Sequence, residues 1–152
     1  MIIPIEVKKE ISQQEIFDLV STVLLNQNSY RLILEMHFNP YSVFSYQSED
    51  GNSLSPIGCF LPDYYYFKKD TWHVGYILKS LEPNGEYFAL KLFQTEEFKY
   101  LEPHMKFLWQ MQMRFCGISV PDEKSSVIEF LINFGKMFNL NVDHPQNALI
   151  LL

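Results

Sequence analysis

The sequence predicts a helix-dominated α+β fold, in one domain with about four helices and one small β-hairpin. Apolar residues recur at the three-to-four-residue spacing of an amphipathic helix in several windows, whereas one stretch consists of two β-prone runs around a turn. The length of 152 residues fits one hydrophobic core, and no repeat or Pro/Gly-rich linker divides the chain. We therefore predict a single domain over residues 1–152.

The first predicted elements are an extended arm and a helix. Residues 1–10 favour an arm or an edge strand, because Pro4 lacks the amide hydrogen that an inner strand donates. Ser12 and Glu15 form the capping-box pattern of a helix start, which predicts a helix over residues 13–26. Apolar residues follow at helical spacing: Ile16, Phe17, Val20, Val23 and Leu24.

A β-hairpin is predicted in the middle of the chain. Residues 43–46 (VFSY) and 57–60 (IGCF) are the two β-prone runs. Residues 49–52 supply the turn, in which Gly51 tolerates a positive φ. Pro62 ends the second run, so we expect the return strand to finish at residue 60.

Helices dominate the second half of the chain. We expect one helix over residues 74–81 and another from Thr95, which Pro103 divides into two pieces. A final helix is predicted from near Asp122. Gly135 interrupts its apolar pattern, at a modest cost in helix propensity.

Charge and hydropathy exclude two classes of partner. The net charge is −6, and the 12 lysines and arginines never exceed two in a row, which disfavours non-specific nucleic-acid binding. Apolar runs are far shorter than the roughly 18 residues that span a bilayer. The first residues also lack the basic region of a signal peptide. We therefore expect a cytoplasmic protein without a membrane partner.

Neither a metal nor another cofactor is predicted from the sequence. Cys59 and Cys116 form no CxxC pair, and two cysteines make no disulfide framework. The four histidines lack the spacing of a metal-binding motif. They are His37, His73, His104 and His144.

Residues 46–51 (YQSEDG) and 57–63 (IGCFLPD) follow a helix that begins with residues 15–18 (EIFD). In this order they resemble a family of small, largely uncharacterised bacterial and phage proteins. Its members read as an EIF-type helix start followed by a YR-x-x-DG-x-x-CAVGCLIPD hairpin. The resemblance depends mainly on the hairpin. It implies the hairpin fold and a bacterial or phage origin, and it supplies no established activity.

The chain departs from this family where side chains could carry chemistry. The family's arginine falls at Gln47, and its first hairpin cysteine falls at Leu54 or Ser55, so only Cys59 remains. The family's His-Asp pair has no counterpart near Met113. We therefore do not expect a reaction that uses those groups.

An aromatic segment over residues 64–73 is the most informative cluster. Four consecutive rings cannot all face one core, whether the backbone is helical or extended. Exposed tyrosine and tryptophan beside lysine are typical of binding surfaces, although the rings can also cover two sides of a thin core. The predicted binding residues are Tyr64, Tyr65, Tyr66, Lys68, Lys69, Trp72 and His73.

A second aromatic-rich stretch, residues 105–115, combines three methionines with rings. A groove for a partner is conceivable there, because methionine adapts to many surfaces. Ordinary burial preferences nevertheless favour the hydrophobic core.

The leading functional hypothesis is a non-enzymatic binding protein, of the regulator or inhibitor kind, that docks a protein or small ligand through the aromatic segment. One alternative is a small enzyme with Cys59 as nucleophile, His37 or His73 as base and Asp63 orienting the base. No sequence pattern pairs these residues. The other alternative is a nucleotide-sequestering protein, whose rings stack a base while Lys68, Lys69 or Arg31 face phosphates.

Overall fold

The computed structural model describes residues 10–29, 32–34, 47–48, 52–60, 93–118 and 123–151. These ranges are mostly helical. The predicted extended arm and the predicted helix over residues 74–81 lie outside them, apart from Glu10. In chain order the elements are α1 (Gln13–Asn26), a 3₁₀ turn (Gly58–Phe60), a 3₁₀ helix (Glu96–His104), α2 (Met105–Cys116), α3 (Glu123–Met137) and α4 (Asp143–Ile150).

Helix α1 confirms the prediction from the capping box. The Ser12 hydroxyl accepts a hydrogen bond from the Glu15 backbone N–H at 3.0 Å. The Glu15 carboxylate in turn accepts one from the Ser12 backbone N–H at 3.2 Å. Two donors that a helix N-terminus leaves free are thus satisfied by local residues, which fixes where the helix begins.

The predicted α+β class is wrong for the described residues, which contain no β-strand. Gln47 and Leu54 form a single antiparallel bridge, supported by a hydrogen bond from the Ser48 N–H to the Ser53 carbonyl at 2.9 Å. The chain therefore reverses direction here, and within the described ranges this bridge is not extended into a ladder of strand pairs. The first predicted strand, residues 43–46, lies outside the described ranges.

The predicted return strand is a 3₁₀ turn, Gly58–Phe60. The Ser55 carbonyl accepts a hydrogen bond from the Cys59 N–H at 3.0 Å, and the Ser55 hydroxyl accepts one from the Gly58 N–H at 3.2 Å. Pro56 has no N–H to offer a neighbouring strand. Ser55 therefore satisfies these donors locally, and the backbone turns.

The division of the next helix at Pro103 is confirmed. Thr95 occupies the N-cap of the 3₁₀ helix, with an extended backbone at φ −70° and ψ 153°. Pro103 lies near the end of that helix, and α2 begins two residues later at Met105. Because proline cannot donate to the preceding turn, regular α-helical hydrogen bonding starts only after it.

The final predicted helix, from near Asp122 through Phe138, corresponds to α3, whereas α4 was not predicted from the sequence. Helix α3 ends where Asn139 adopts the left-handed conformation, at φ 58°. The Leu140 N–H then donates to the Gly135 carbonyl at 2.8 Å, which closes the helix end. The Asn141 side chain next accepts a hydrogen bond from the Asp143 N–H at 2.8 Å, at the first residue of α4, whose N-cap is Val142.

Aromatic rings join α2 to α3. Phe107 lies 5.4 Å from Phe134 and 5.0 Å from Phe138, measured between ring centroids. Phe115, two turns further along α2, lies 6.1 Å from Phe130. The two helices therefore run antiparallel, and α3 also packs against α1 and α4. This arrangement places the core between α1, α2 and α3.

Candidate functional site

The predicted aromatic binding segment lies outside the described residues, so its role in binding stays a prediction. The same holds for His37, Asp63 and Arg31, which the alternative functions invoke. The segment starts four residues after Phe60 in the sequence. Phe60 itself is buried, with 4% of its surface exposed. The last described residue before the segment therefore belongs to the core.

Two glutamine side chains anchor this stretch of backbone, in which residues 53–60 are all buried. Gln27, just after α1, pairs with both backbone polar groups of Leu54, at 2.9 Å and 2.8 Å. Gln112 on α2 is fully buried and accepts a hydrogen bond from the Ile57 N–H at 3.0 Å. These side chains provide partners that a buried loop would otherwise lack.

The surroundings of Cys59 argue against a nucleophilic role. Only 1% of its surface is exposed, and its thiol donates a hydrogen bond to the Ser55 carbonyl at 3.2 Å. Burial raises the pKa of this thiol, because the charged thiolate would lose its hydration. A cysteine nucleophile needs the opposite shift. Burial also raises the pKa of the Cys116 thiol, to about 12.

Neither a metal-binding cluster nor a membrane-spanning helix occurs within the described ranges. No group of three or more His, Cys, Asp or Glu side chains converges there in a way that could hold a metal ion. No helix within those ranges combines the length and the apolar character needed to cross a lipid bilayer.

Most apolar side chains of the methionine-rich helix α2 lie in the core, as the burial preferences of these residue types predict. Met105, Trp109, Met111 and Phe115 are all buried. Met113 is the exception, because 46% of its surface is exposed. The side of α2 that carries Met113 therefore faces away from the core.

A groove of about 550 Å³ runs along α3 beside the end of α2. We call it the α2–α3 groove. Its volume falls within the range of about 300–1,000 Å³ that is typical of ligand sites. It is lined by Arg114, Gly117, Ile118, Ser126, Glu129, Phe130, Asn133, Phe134 and Met137.

The α3 wall of this groove has a polar row and an apolar row. Residues 126 and 137 mark its ends, which are about 16 Å apart along the helix axis. Spacings of three and four residues keep all its side chains on one face. The polar row is Ser126, Glu129 and Asn133, and the apolar row is Phe130, Phe134 and Met137.

The apolar floor of the groove is ordered by ring packing. Phe134 is buried and its ring lies 5.9 Å from that of Phe130, which is only half-buried. Ile118 covers the floor from the other side and is also buried. Met137 borders the groove with 47% of its surface exposed.

Two opposite charges border the groove without pairing. Arg114 lies in the last turn of α2 and Glu129 in the middle of α3, and both are exposed. Within the part of the chain that the structure describes, neither side chain is engaged in an ion pair or a hydrogen bond. Both side chains contribute to the lining of the groove.

Gly117 leaves one side of the groove open. A Cβ atom placed there would meet only backbone of its own helix, the nearest being the Arg114 carbonyl oxygen at 3.5 Å. That is an ordinary van der Waals distance, and the φ of −87° suits any residue. The backbone at Gly117, which lines the groove, therefore accepts a Cβ atom without a clash, so this is a suitable position for a substitution meant to obstruct the groove.

A second cavity, of about 310 Å³, lies between the end of α1 and the start of α3. Its polar side chains already have structural partners. Gln27 pairs with Leu54, and the Lys124 ammonium donates to the Leu25 carbonyl at the end of α1. We therefore regard this cavity as a packing feature of the helix ends.

The sequence reasoning missed the α2–α3 groove, although part of its signal is visible. Phe130, Phe134 and Met137 recur at helical spacing. Arg114 and Gly117 follow one another at a three-residue interval. The antiparallel pairing of α2 with α3 is what joins these two patterns, and no local sequence feature specifies it.

Compared with protein families, curated proteins and solved structures, the chain shows no match. The resemblance to the small bacterial and phage family therefore stays a prediction.

Proposed function

We propose that this protein is a non-enzymatic binding protein that docks a helix of a partner protein in the α2–α3 groove. The aromatic segment over residues 64–73 is, on this proposal, a second contact with the same partner. By analogy with small bacterial and phage proteins, we propose that it acts as a regulator or inhibitor.

The composition of the groove is the observation that carries the proposal. An amphipathic helix binds by laying its apolar face into an apolar groove, with polar contacts along the edge. The α2–α3 groove has the same distribution of side chains, because Phe130, Phe134 and Met137 lie beside a polar row on α3. Its length of about 16 Å corresponds to three helical turns of a ligand.

The two charges that line the groove supply a basis for specificity. Arg114 and Glu129 face the groove from different helices, so a ligand with complementary charges is held in one orientation. Exposed ion pairs contribute little affinity on their own. We therefore assign affinity to the aromatic floor and orientation to the two charges.

The alternative of a cysteine-dependent enzyme loses its basis at Cys59. The thiol is buried, it is hydrogen-bonded to Ser55, and its pKa is raised rather than lowered. A side chain in this state contributes to packing. A binding function requires nothing of Cys59 beyond that.

The test compares two variants that add the same ring to α2. Gly117→Trp fills the groove, whereas Gln110→Trp places a ring on an exposed position outside it. Tagged protein is used to capture partners from native lysate. We expect Gln110→Trp to capture the same proteins as the unaltered chain and Gly117→Trp to lose them.

A further pair of variants tests the aromatic segment. Tyr65→Ala and Trp72→Ala are compared in the same capture assay, and melting temperatures check that each variant is folded. Identical captured proteins for all variants, with unchanged stability, would count against both the groove and the segment as binding surfaces.

A further inference from the structure

Arg114 and Glu129 lie at nearly the same level of the α2–α3 groove, on opposite walls. Each residue directly precedes a phenylalanine, and the rings of these two phenylalanines, Phe115 on α2 and Phe130 on α3, contact each other with centroids 6.1 Å apart. A helix rises by about 1.5 Å per residue, so in antiparallel helices the two charged positions differ in level by about 3 Å. A ligand in the groove therefore has a cation on one side and an anion on the other.

The floor between these two walls is apolar. Ile118 and Phe134 are buried, and the half-buried Phe130 lies beside them. A helix that docks here places its apolar stripe on this floor, so the residues on the two flanks of that stripe reach the two charged walls.

Helical geometry specifies which flanking residues can do so together. Each residue turns a helix by about 100°, so two residues that are two positions apart in sequence point in nearly opposite directions. Their levels along the helix differ by about 3 Å, which is similar to the difference between Arg114 and Glu129. One such pair can therefore contact both walls at once.

The geometry points to a partner helix that carries a carboxylate on one flank of its apolar stripe and a basic side chain, two residues away, on the other flank. The carboxylate contacts Arg114, because a planar guanidinium binds a carboxylate through two parallel hydrogen bonds. The basic side chain contacts Glu129. The inference rests on the proposed function, because it states the chemistry of the helix that occupies the groove.

This arrangement selects among amphipathic helices. A helix with the same charge on both flanks gains one attraction and suffers one repulsion, whereas a helix with opposite charges gains two attractions. Turning a helix end for end exchanges its flanks, so the order of the acidic and the basic residue in the partner sequence determines the direction in which the helix binds.

Three synthetic peptides test the inference with the purified full chain. Each is a helix of about four turns with the same leucine stripe, stapled on the face opposite that stripe. The mixed peptide has glutamate and lysine on opposite flanks, and the other two have glutamate on both flanks or lysine on both flanks. By fluorescence anisotropy we expect the mixed peptide to bind about three- to tenfold more tightly than either of the others. The difference should shrink in 1 M salt, which screens the charges.

Charge reversal in the groove should change which peptide binds best. Arg114→Glu makes both walls acidic and should favour the peptide with two lysine flanks, whereas Glu129→Lys makes both walls basic and should favour the peptide with two glutamate flanks. Lys106→Glu and Glu96→Lys are the matched controls, because they make the same changes of charge at exposed positions that do not line the groove. Both controls should still prefer the mixed peptide.

Failure of this inference and failure of the proposed function give different results. Equal affinities for the three peptides, with binding that Gly117→Trp removes, would overturn the charge pattern and retain a groove that binds helices. Should Gly117→Trp unfold, Asn133→Trp obstructs the groove from α3. If no peptide binds while capture of partners from lysate still depends on the groove, the inference fails alone, and if neither is observed the proposed function fails as well.

A small apolar acid is the other occupant that this chemistry could accept, and decanoate is the probe for it. Displacement of the mixed peptide by micromolar decanoate from the unaltered chain, but not from Lys106→Glu-matched Arg114→Glu, would assign the groove to such a ligand and would also overturn the inference. We expect decanoate to leave the peptide bound.

Discussion

Gln27 pairs with Leu54 as a neighbouring strand would. The Leu54 N–H donates to the Gln27 side-chain oxygen at 2.9 Å, and the Gln27 side-chain nitrogen donates to the Leu54 carbonyl at 2.8 Å. One amide side chain thereby satisfies both backbone groups of a buried residue. The chain can pass through the core at this point with only a single β-bridge.

This pairing predicts a large cost for Gln27→Ala. The substitution leaves a buried donor and a buried acceptor of Leu54 without partners, which we expect to lower the free energy of unfolding by about 2–3 kcal/mol. Urea denaturation measures the change.

Gln14→Ala is the matched control, because Gln14 makes the same double contact with the Asn141 backbone, at 2.8 Å and 3.1 Å. That contact is exposed, so water replaces the lost bonds and the expected cost is about 1 kcal/mol or less. Equal costs for the two variants would contradict this explanation of the buried loop.

The close packing around Gly135 predicts that alanine at this position destabilises the protein, which is the opposite of what helix propensity alone predicts. Alanine in a helix interior is ordinarily more favourable than glycine by about 1 kcal/mol. A Cβ atom at Gly135, however, would lie 2.8 Å from the Phe17 ring and would also clash with Val142. We therefore expect Gly135→Ala to destabilise the protein by about 1–3 kcal/mol. Asn133→Ala, on the exposed side of the same helix, should be neutral or stabilising in the same denaturation assay.

The raised pKa of Cys116 predicts slow alkylation. A pKa that rises from 9.0 to about 12 lowers the thiolate fraction at pH 7.5 by about a thousandfold. Cys59 is more deeply buried and should be slower still. We expect iodoacetamide to modify neither thiol of the folded chain within minutes, and to modify both at the rate of a free cysteine in denaturant. Rapid labelling of Cys59 in folded protein would revive the enzyme hypothesis.

The same shift predicts a loss of stability at high pH. Near pH 8 the Cys116 thiol holds its proton in both states. Between about pH 9 and 12 the unfolded chain loses this proton while the folded chain keeps it, so the free energy of unfolding falls as pH rises. Denaturation of the unaltered chain and of Cys116→Ala at pH 8 and pH 10 measures the difference. A slope that is identical in the two chains would show that this thiol does not contribute.

The sequence predicted α1 well because its determinants are local. Ser12 and Glu15 lie one turn apart and contact each other, so their spacing alone specifies the helix start. The break at Pro103 was predictable for the same kind of reason, since the missing N–H is a property of the residue itself. The start of α4 had a local signal as well, in the Asn141 side chain and in Pro145, but no helix was predicted after Phe138.

The hairpin prediction failed because its outcome depends on distant residues. Residues 57–60 have the apolar composition of a buried strand, but such a short apolar run is also compatible with a buried turn. Gln27 and Gln112, from two different helical regions, provide the partners that allow the turn. The groove is likewise a product of helix pairing, so it could not be predicted from α2 or α3 separately.

Site-specific photo-crosslinking tests most directly whether the α2–α3 groove binds a partner protein. A photoreactive phenylalanine replaces Asn133, which lines the groove, or Gln110, which is exposed outside it. Irradiation in native lysate should give a discrete crosslinked species from position 133 that is absent from position 110, and Gly117→Trp in the same chain should abolish it. The same crosslinked species from both positions, or none from position 133, would contradict a docking role for the groove.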